Sequence, residues 1–201
     1  SVISFFFNRS HLEVYFIQII FGKNFILNDL NHEGGLTALR IEGPANSVDQ
    51  RIDRLSKELG LLSHEVSILD TEQSKIFWNR TKNLEVFKNL KSNLLRIVAP
   101  ISETLQIIQN LKSNDVSYFI DWGGSLVWMA FNEINSKILN EIKQIMKKHY
   151  GYCTIIKIEE DLKASADIFT IDPIKYKISE KLKRSFDPKR IFNPGKMYTG
   201  V

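Results

Sequence analysis

Hydrophobic and polar residues follow two different periods along this chain, and the switches between them mark the elements. Residues 37–42 alternate polar and apolar as a half-buried strand does. Val48, Ile52, Leu55 and Leu59 then recur at helical spacing, with Pro44, Asn46 and Ser47 as start signals and Gly60 as a stop. "EVSILD" (65–70) predicts a second strand, and a helical stretch follows around 76–87. "LLRIVA" (94–99) predicts another strand, ended by Pro100, after which Ser102 can cap a helix carrying Leu105, Ile108 and Leu111. "VSYFIDW" and "LVWMAF" flank Gly123-Gly124-Ser125, a hairpin signal, because glycine readily supplies the positive φ of tight turns. Ile138, Ile142, Ile145 and Met146 form one apolar stripe, Gly151 ends that helix, and "CTIIKI" (153–158) adds a final strand.

This order predicts an α+β fold: a mostly antiparallel sheet with helices packed on one face, plus a C-terminal helix and a docked tail. Residues 1–35 form a segment with no assigned role, in which "VYFIQIIFG" (14–22) reads as a buried strand. It is too short for the ~20 apolar residues of a membrane-spanning helix. Residues 36–160 form the main domain, and 161–201 hold a linker, a basic helix and the tail. In that tail Asp187-Pro188 stops the helix, since proline lacks an N–H and disfavours helical geometry before it. Asn193-Pro194-Gly195 predicts a second turn, and Ile191 and Phe192 between the two offer an apolar anchor.

Composition adds bounds. With 43% hydrophobic and 25% charged residues the chain can bury a core and is neither disordered nor fibrous. Cys153 is the sole cysteine, so no intrachain disulfide can form, which points to a reducing, cytoplasmic setting. The net charge of +4 is uneven: from Pro173 onward eight Lys or Arg face Glu180 and Asp187, so this end carries +6 and the remainder −2. Such a helix attracts phosphate, an acidic partner or anionic lipid, or is simply a solvated face. No aromatic RNA-binding motif accompanies the charge, which argues against a nucleic-acid partner.

There is no G-x-G-x-x-G, P-loop or zinc-binding spacing, and the four histidines are widely separated, so no catalytic metal is expected. His149 reads as a helix-end residue meeting the C-terminal dipole. Arg96 carries more information. Strand alternation groups Leu94, Arg96 and Val98 on one face and Leu95, Ile97 and Ala99 on the other. A guanidinium between apolar neighbours is costly unless it meets a carboxylate, phosphate or water. Asp121 or a carboxylate ligand could supply that partner. Trp122 and Trp128 could wall a pocket, or belong to the core of an ordinary hairpin.

"FDPKRIFNPGKMY" (186–198) resembles the end of the flavin-linked oxidase family related to vanillyl-alcohol oxidase, above all the FAD-binding subunits of bacterial glycolate oxidases. "LRIEGPANSVDQRIDRLSKELG" (39–60), "FWNRTKNLEVF" (77–87), "LLRIVAPIS" (94–102) and "IDWGGSLVWM" (120–129) agree with the same family in order, covering about 36–197. The resemblance implies that this is the C-terminal cap portion, which covers the flavin ring and forms one side of the substrate pocket. The FAD would be bound mainly by a glycine-rich domain absent from this chain, so the isolated chain is expected to be inactive. The implied chemistry is oxidation of a 2-hydroxy acid, glycolate to glyoxylate, with electrons passed on through other oxidase subunits; membrane association through those partners is left open. The resemblance implies Arg96 and Trp122 as substrate-binding residues and Gly123, Gly124, Asn193, Gly195 and Lys196, with Tyr198, as neighbours of the cofactor. No residue is marked as the catalytic base. The opposing class is a non-catalytic assembly or binding module that keeps the cap fold.

Overall fold

A computed structural model describes residues 19–21, 26–27, 30–31, 36–61, 68–88, 93–163, 166–167, 169–170 and 172–196. Short strands β1 (Ile19–Phe21), β2 (Ile26–Leu27), β3 (Leu30–Asn31) and β4 (Leu36–Ala38) precede helices α1 (Ala45–Leu61) and α2 (Thr71–Lys82) and a 3₁₀ turn, Glu85–Phe87. Then come β5 (Asn93–Val98), α3 (Ile101–Leu111), β6 (Val116–Asp121), β7 (Leu126–Phe131), α4 (Ser136–Lys148), β8 (Tyr152–Lys157), α5 (Glu160–Lys163) and α6 (Pro173–Phe186). The fold is α+β. Its main sheet runs β4-β1-β6-β7-β5-β8 with antiparallel pairing throughout, and β2 and β3 pair separately.

The sheet has two unlike faces. On one, Leu95, Ile97, Val127, Met129 and Phe131 pack beneath Ile107, Ile108 and Leu111 of α3 and Ile142, Ile145 and Met146 of α4. This is the main core, and α3 and α4 are its helical layer. On the other face Phe119, Ala130, Leu94 and Trp128 meet Phe77 and Trp78 of α2 and Phe87 of the 3₁₀ turn. Among the described residues that second cover is partial, and they leave part of this face open.

Several expected boundaries shift for identifiable reasons. The strand expected over 37–42 stops at Ala38, and residues 39–42 are unpaired. Helix α1 continues through Gly60 to Leu61 rather than stopping at the glycine. Of "EVSILD", 65–67 lie outside the described residues, and 68–70 form no strand: the Asp70 side chain accepts the Gln73 N–H while Gln73 reaches back to the Asp70 N–H, a capping box that starts α2. Of "VYFIQIIFG", Ile19–Phe21 is β1 and the rest lies outside the described residues apart from those three. Ser102 does not cap α3. Pro100 holds the N-cap position, leaving Ser102 inside the helix, and Leu105 points outward while Thr104 and Ile107 are buried.

Gly151 closes α4 as expected, but the left-handed backbone belongs to the residue before it. The left-handed residue after α4 is Tyr150, at φ 53°, and the Gly151 N–H closes the helix onto the Met146 carbonyl at 2.8 Å. A Cβ on Gly151 would sit 2.9 Å from Met146 Sδ and 3.4 Å from Ile107 Cδ1. The glycine is there because α3 and α4 leave no room. His149 is the C-cap of α4, buried, with Nδ1 2.8 Å from a Glu103 carboxylate oxygen on α3.

Candidate functional site

The open part of the second sheet face lies at the β6–β7 hairpin end. Antiparallel register sets Thr154, Arg96, Trp128 and Phe119 side by side across β8, β5, β7 and β6. The next row is Tyr152, Val98, Leu126 and Asp121. Residues directly opposite one another share a face, so Arg96 and Tyr152 are diagonal neighbours on it.

The hairpin folds Trp122 back over this surface. Trp122 takes φ 52°, which is uncommon for a bulky side chain, followed by Gly123 at φ 62° and Gly124 at φ 111°. Three polar contacts hold the turn: Asp121 Oδ1 accepts the Trp122 N–H at 2.7 Å, and the Ser125 hydroxyl and N–H donate to the Trp122 carbonyl at 3.0 and 3.4 Å. Thr104 of α3 donates its hydroxyl to the Gly124 carbonyl, and a Cβ on Gly124 would meet Ile101 at 3.3 Å. Gly123 and Gly124 are buried, so their backbone approaches α3 closely. The result is a Trp122 ring that is 56% exposed yet fixed at its backbone.

Arg96 Cζ stands 5.0 Å from the Trp122 ring centroid, a cation–π contact. Among the described residues no carboxylate pairs with Arg96. The internal partner suggested by the sequence, Asp121, is engaged by the Trp122 N–H instead, and burial raises its carboxyl above the usual range while that N–H draws it back. Arg96 and Trp122 therefore come together, and the guanidinium makes no hydrogen bond or ion pair among the described residues.

The tail forms a second locus. Asn193-Pro194-Gly195 makes the expected turn, closed by the Lys196 N–H to the Asn193 carbonyl at 3.2 Å, with Gly195 at φ 69°. Among the described residues no hydrogen bond or ion pair joins it to the hairpin turn. Its fastening is polar where an apolar anchor was expected: Ile191 and Phe192 are exposed. Asp187, 7% exposed, receives the Ile191 and Phe192 N–H groups at 2.9 and 3.0 Å and the Lys183 ammonium at 2.9 Å, while Lys183 also reaches the Phe192 carbonyl.

The Lys183 ammonium, helped by those two N–H groups and opposed by burial, holds the Asp187 carboxyl down at about 2, below the usual 3.8. A lowered carboxyl contributes stability above its unfolded value and loses it as pH falls through the folded one. Amide exchange at Ile191 and Phe192, taken relative to the intrinsic rate at each pH, is therefore expected to be slow at pH 5 and to quicken between pH ~4 and ~2. In Asp187→Asn it should be fast throughout; equal protection in the variant would mean that the carboxylate does not hold the loop.

Helix α6 is oriented unusually. Ile174, Ile178, Leu182 and Phe186 make a stripe at four-residue spacing and are all exposed, at 69%, 53%, 52% and 83%. Tyr176, Ser179, Glu180 and Lys183 are the partly covered side. The helix thus turns polar residues toward the body and most of its apolar stripe outward, with Ile178 also lining the space against β8.

Tyr152, Thr154 and Lys175 were not singled out from the sequence. The Lys175 ammonium lies 4.0 Å from the Tyr152 ring centroid and in contact with its hydroxyl. Alternation in "YCTIIK" could have put Tyr152 and Thr154 on one face; nothing local signals that Lys175, 23 residues on, lies above them. Among the described residues no group of three or more His, Cys, Asp or Glu could hold a metal ion, and no helix is long and apolar enough to cross a membrane. Cys153 is buried, which pushes its thiol up to about 12, so it is no nucleophile.

No protein-family model matches the chain. It is distantly homologous to the glycolate oxidase subunit GlcE of Escherichia coli (strain K12), with 26% identity over 163 residues, 80% of this chain. The match spans only 38% of that relative's length.

Proposed function

We propose that this distant homologue of a glycolate oxidase subunit is the C-terminal, substrate-side cap region of a glycolate-oxidase-like flavoprotein subunit, acting with an FAD-binding domain not present in this chain. The observation that carries the reading is the Arg96–Trp122 pair: a guanidinium on an open sheet face, without a carboxylate of its own among the described residues, beside a fixed aromatic wall. That is what recognition of a small carboxylate requires. The chain's residues fit the ring side of FAD rather than its pyrophosphate, since no glycine-rich phosphate cradle occurs in the sequence.

When bound, FAD supplies the hydride acceptor for oxidation of a 2-hydroxy acid. Arg96 holds the substrate carboxylate through paired N–H donors, and Trp122 excludes water from one side. Gly123 and Gly124 set the turn that aims Trp122. Asn193, Gly195 and Lys196 bring a polar turn and a cation toward the cofactor-bearing domain. Other oxidase subunits accept the electrons.

A second reading, an assembly module that keeps the cap fold, is favoured by the outward apolar stripe of α6, a surface suited to another polypeptide. Both readings are tested by mixing the chain with the N-terminal flavin domain of a similar subunit and adding glycolate. Bleaching of the flavin absorbance is expected from the cap reading. Stable association without bleaching would support the assembly module, and neither association nor bleaching would remove both.

A further inference from the structure

Between β8 and α6 lies a cavity of about 390 Å³ whose walls include Tyr152, Thr154, Phe169, Lys175, Ile178 and Ser179, and Thr154 is the cross-strand partner of Arg96. We propose that this cavity is an anion-binding pocket that works together with Arg96, so that the site selects a small acid with two acidic groups, one on each cation. The inference rests on the Arg96 carboxylate site of the preceding section, not on its flavin chemistry.

Four observations converge. Arg96 and Lys175 each lie over an aromatic ring, at 5.0 and 4.0 Å from the centroids of Trp122 and Tyr152. Neither has a carboxylate partner among the described residues. The register pairs Arg96 with Thr154 and Val98 with Tyr152, which makes Arg96 and Tyr152 diagonal neighbours, a separation that long side chains bridge. The hydroxyls of Thr154 and Ser179 make no hydrogen bond among the described residues, whereas Thr170, also on the cavity wall, is already committed to the Cys153 backbone.

Nearby acids are already engaged. Asp172 caps α6 through the Ile174 N–H at 2.8 Å, and Asp121 holds the Trp122 N–H at the far end of the row. Lys175 thus stands on the cavity wall and Arg96 on the strand next to it, each backed by an aromatic ring, with two hydroxyls between them that make no hydrogen bond among the described residues. A monoacid such as glycolate satisfies only one of the two cations. A 2-hydroxy diacid satisfies both, its second carboxylate taking the Lys175 ammonium and the hydroxyls around it.

The test is calorimetric titration of the 201-residue chain with glycolate, malate and 2-hydroxyglutarate, without flavin. The diacids are expected to bind about tenfold tighter than glycolate, one charge-assisted hydrogen-bonding group being worth about that factor. Lys175→Gln should erase the diacid advantage and leave glycolate unchanged, while Arg96→Gln weakens all three acids. Equal affinity for monoacid and diacids in the unaltered chain, a diacid preference that survives Lys175→Gln, or no binding of any acid would each overturn the proposal. A preference that tracks Lys175 while flavin complementation fails would uphold the pocket and remove the oxidase reading alone.

Discussion

Arg96→Gln is expected to lower kcat/KM for glycolate by about 10- to 100-fold in the chain complemented with a flavin domain. A hydrogen bond to a charged group contributes about 1.5–3 kcal/mol, and 1.4 kcal/mol is a factor of ten. Because the guanidinium has no carboxylate partner among the described residues, its loss leaves no buried charge uncompensated, and folding stability should move by no more than about 1 kcal/mol, the worth of its cation–π contact with Trp122. Arg96→Lys should recover part of the activity, since it keeps the charge but not the planar fork. Glycolate-dependent flavin reduction measures the first effect and urea unfolding the second. Full activity in Arg96→Gln would show that the carboxylate is held elsewhere; a large loss of stability would make Arg96 a structural residue after all.

The parts of this protein that were legible in its sequence are those that local periodicity controls. β5 is buried on every second residue, α4 repeats an apolar stripe, and Gly123-Gly124 marks the turn between β6 and β7; all three signals come from residues close in sequence. The sidedness of Arg96 followed from the same alternation, because its strand is buried on every second residue. What could not be read was long-range or depended on competing caps. Pro100 displaced Ser102 as the start of α3, and of the expected stripe Ile108 and Leu111 face the core while Leu105 does not. The strand expected over 65–70 yields, in its described part, to the Asp70 capping box. Placing Lys175 over Tyr152 requires knowing that α6 returns along β8, and the stripe of α6 would on periodicity alone be assigned to the core rather than to an outward face. The candidate site was therefore half visible: Arg96 and Trp122 from the strand and its turn, but not the cation and hydroxyls beside them.

The second large effect links packing to that site. Phe119 is 1% exposed on the partly covered sheet face, stacked on Phe87 at 5.6 Å between ring centroids and tilted against Trp128 at 6.4 Å. It is the platform on which Trp128, the cross-strand neighbour of Arg96, rests. Phe119→Ala removes an aromatic ring from a place where β6 and β7 cannot close up, since both strands are held by the core on their other face. Such substitutions cost about 3–5 kcal/mol, the lost transfer energy plus the cavity left behind. The urea midpoint should fall accordingly with an unchanged slope, which would mark a loss of stability rather than a change in the surface exposed on unfolding. Phe119→Leu fills most of the space and should cost clearly less. In native conditions Phe119→Ala should also weaken acid binding at Arg96, because Trp128, the direct cross-strand neighbour of Arg96, is free to tilt into the gap. Unfolding at the unaltered midpoint would mean that α2 and the 3₁₀ turn do not pack on this face as a unit. Loss of stability with unaltered acid affinity would confine the role of Phe119 to the core and leave Trp122 alone to position Arg96.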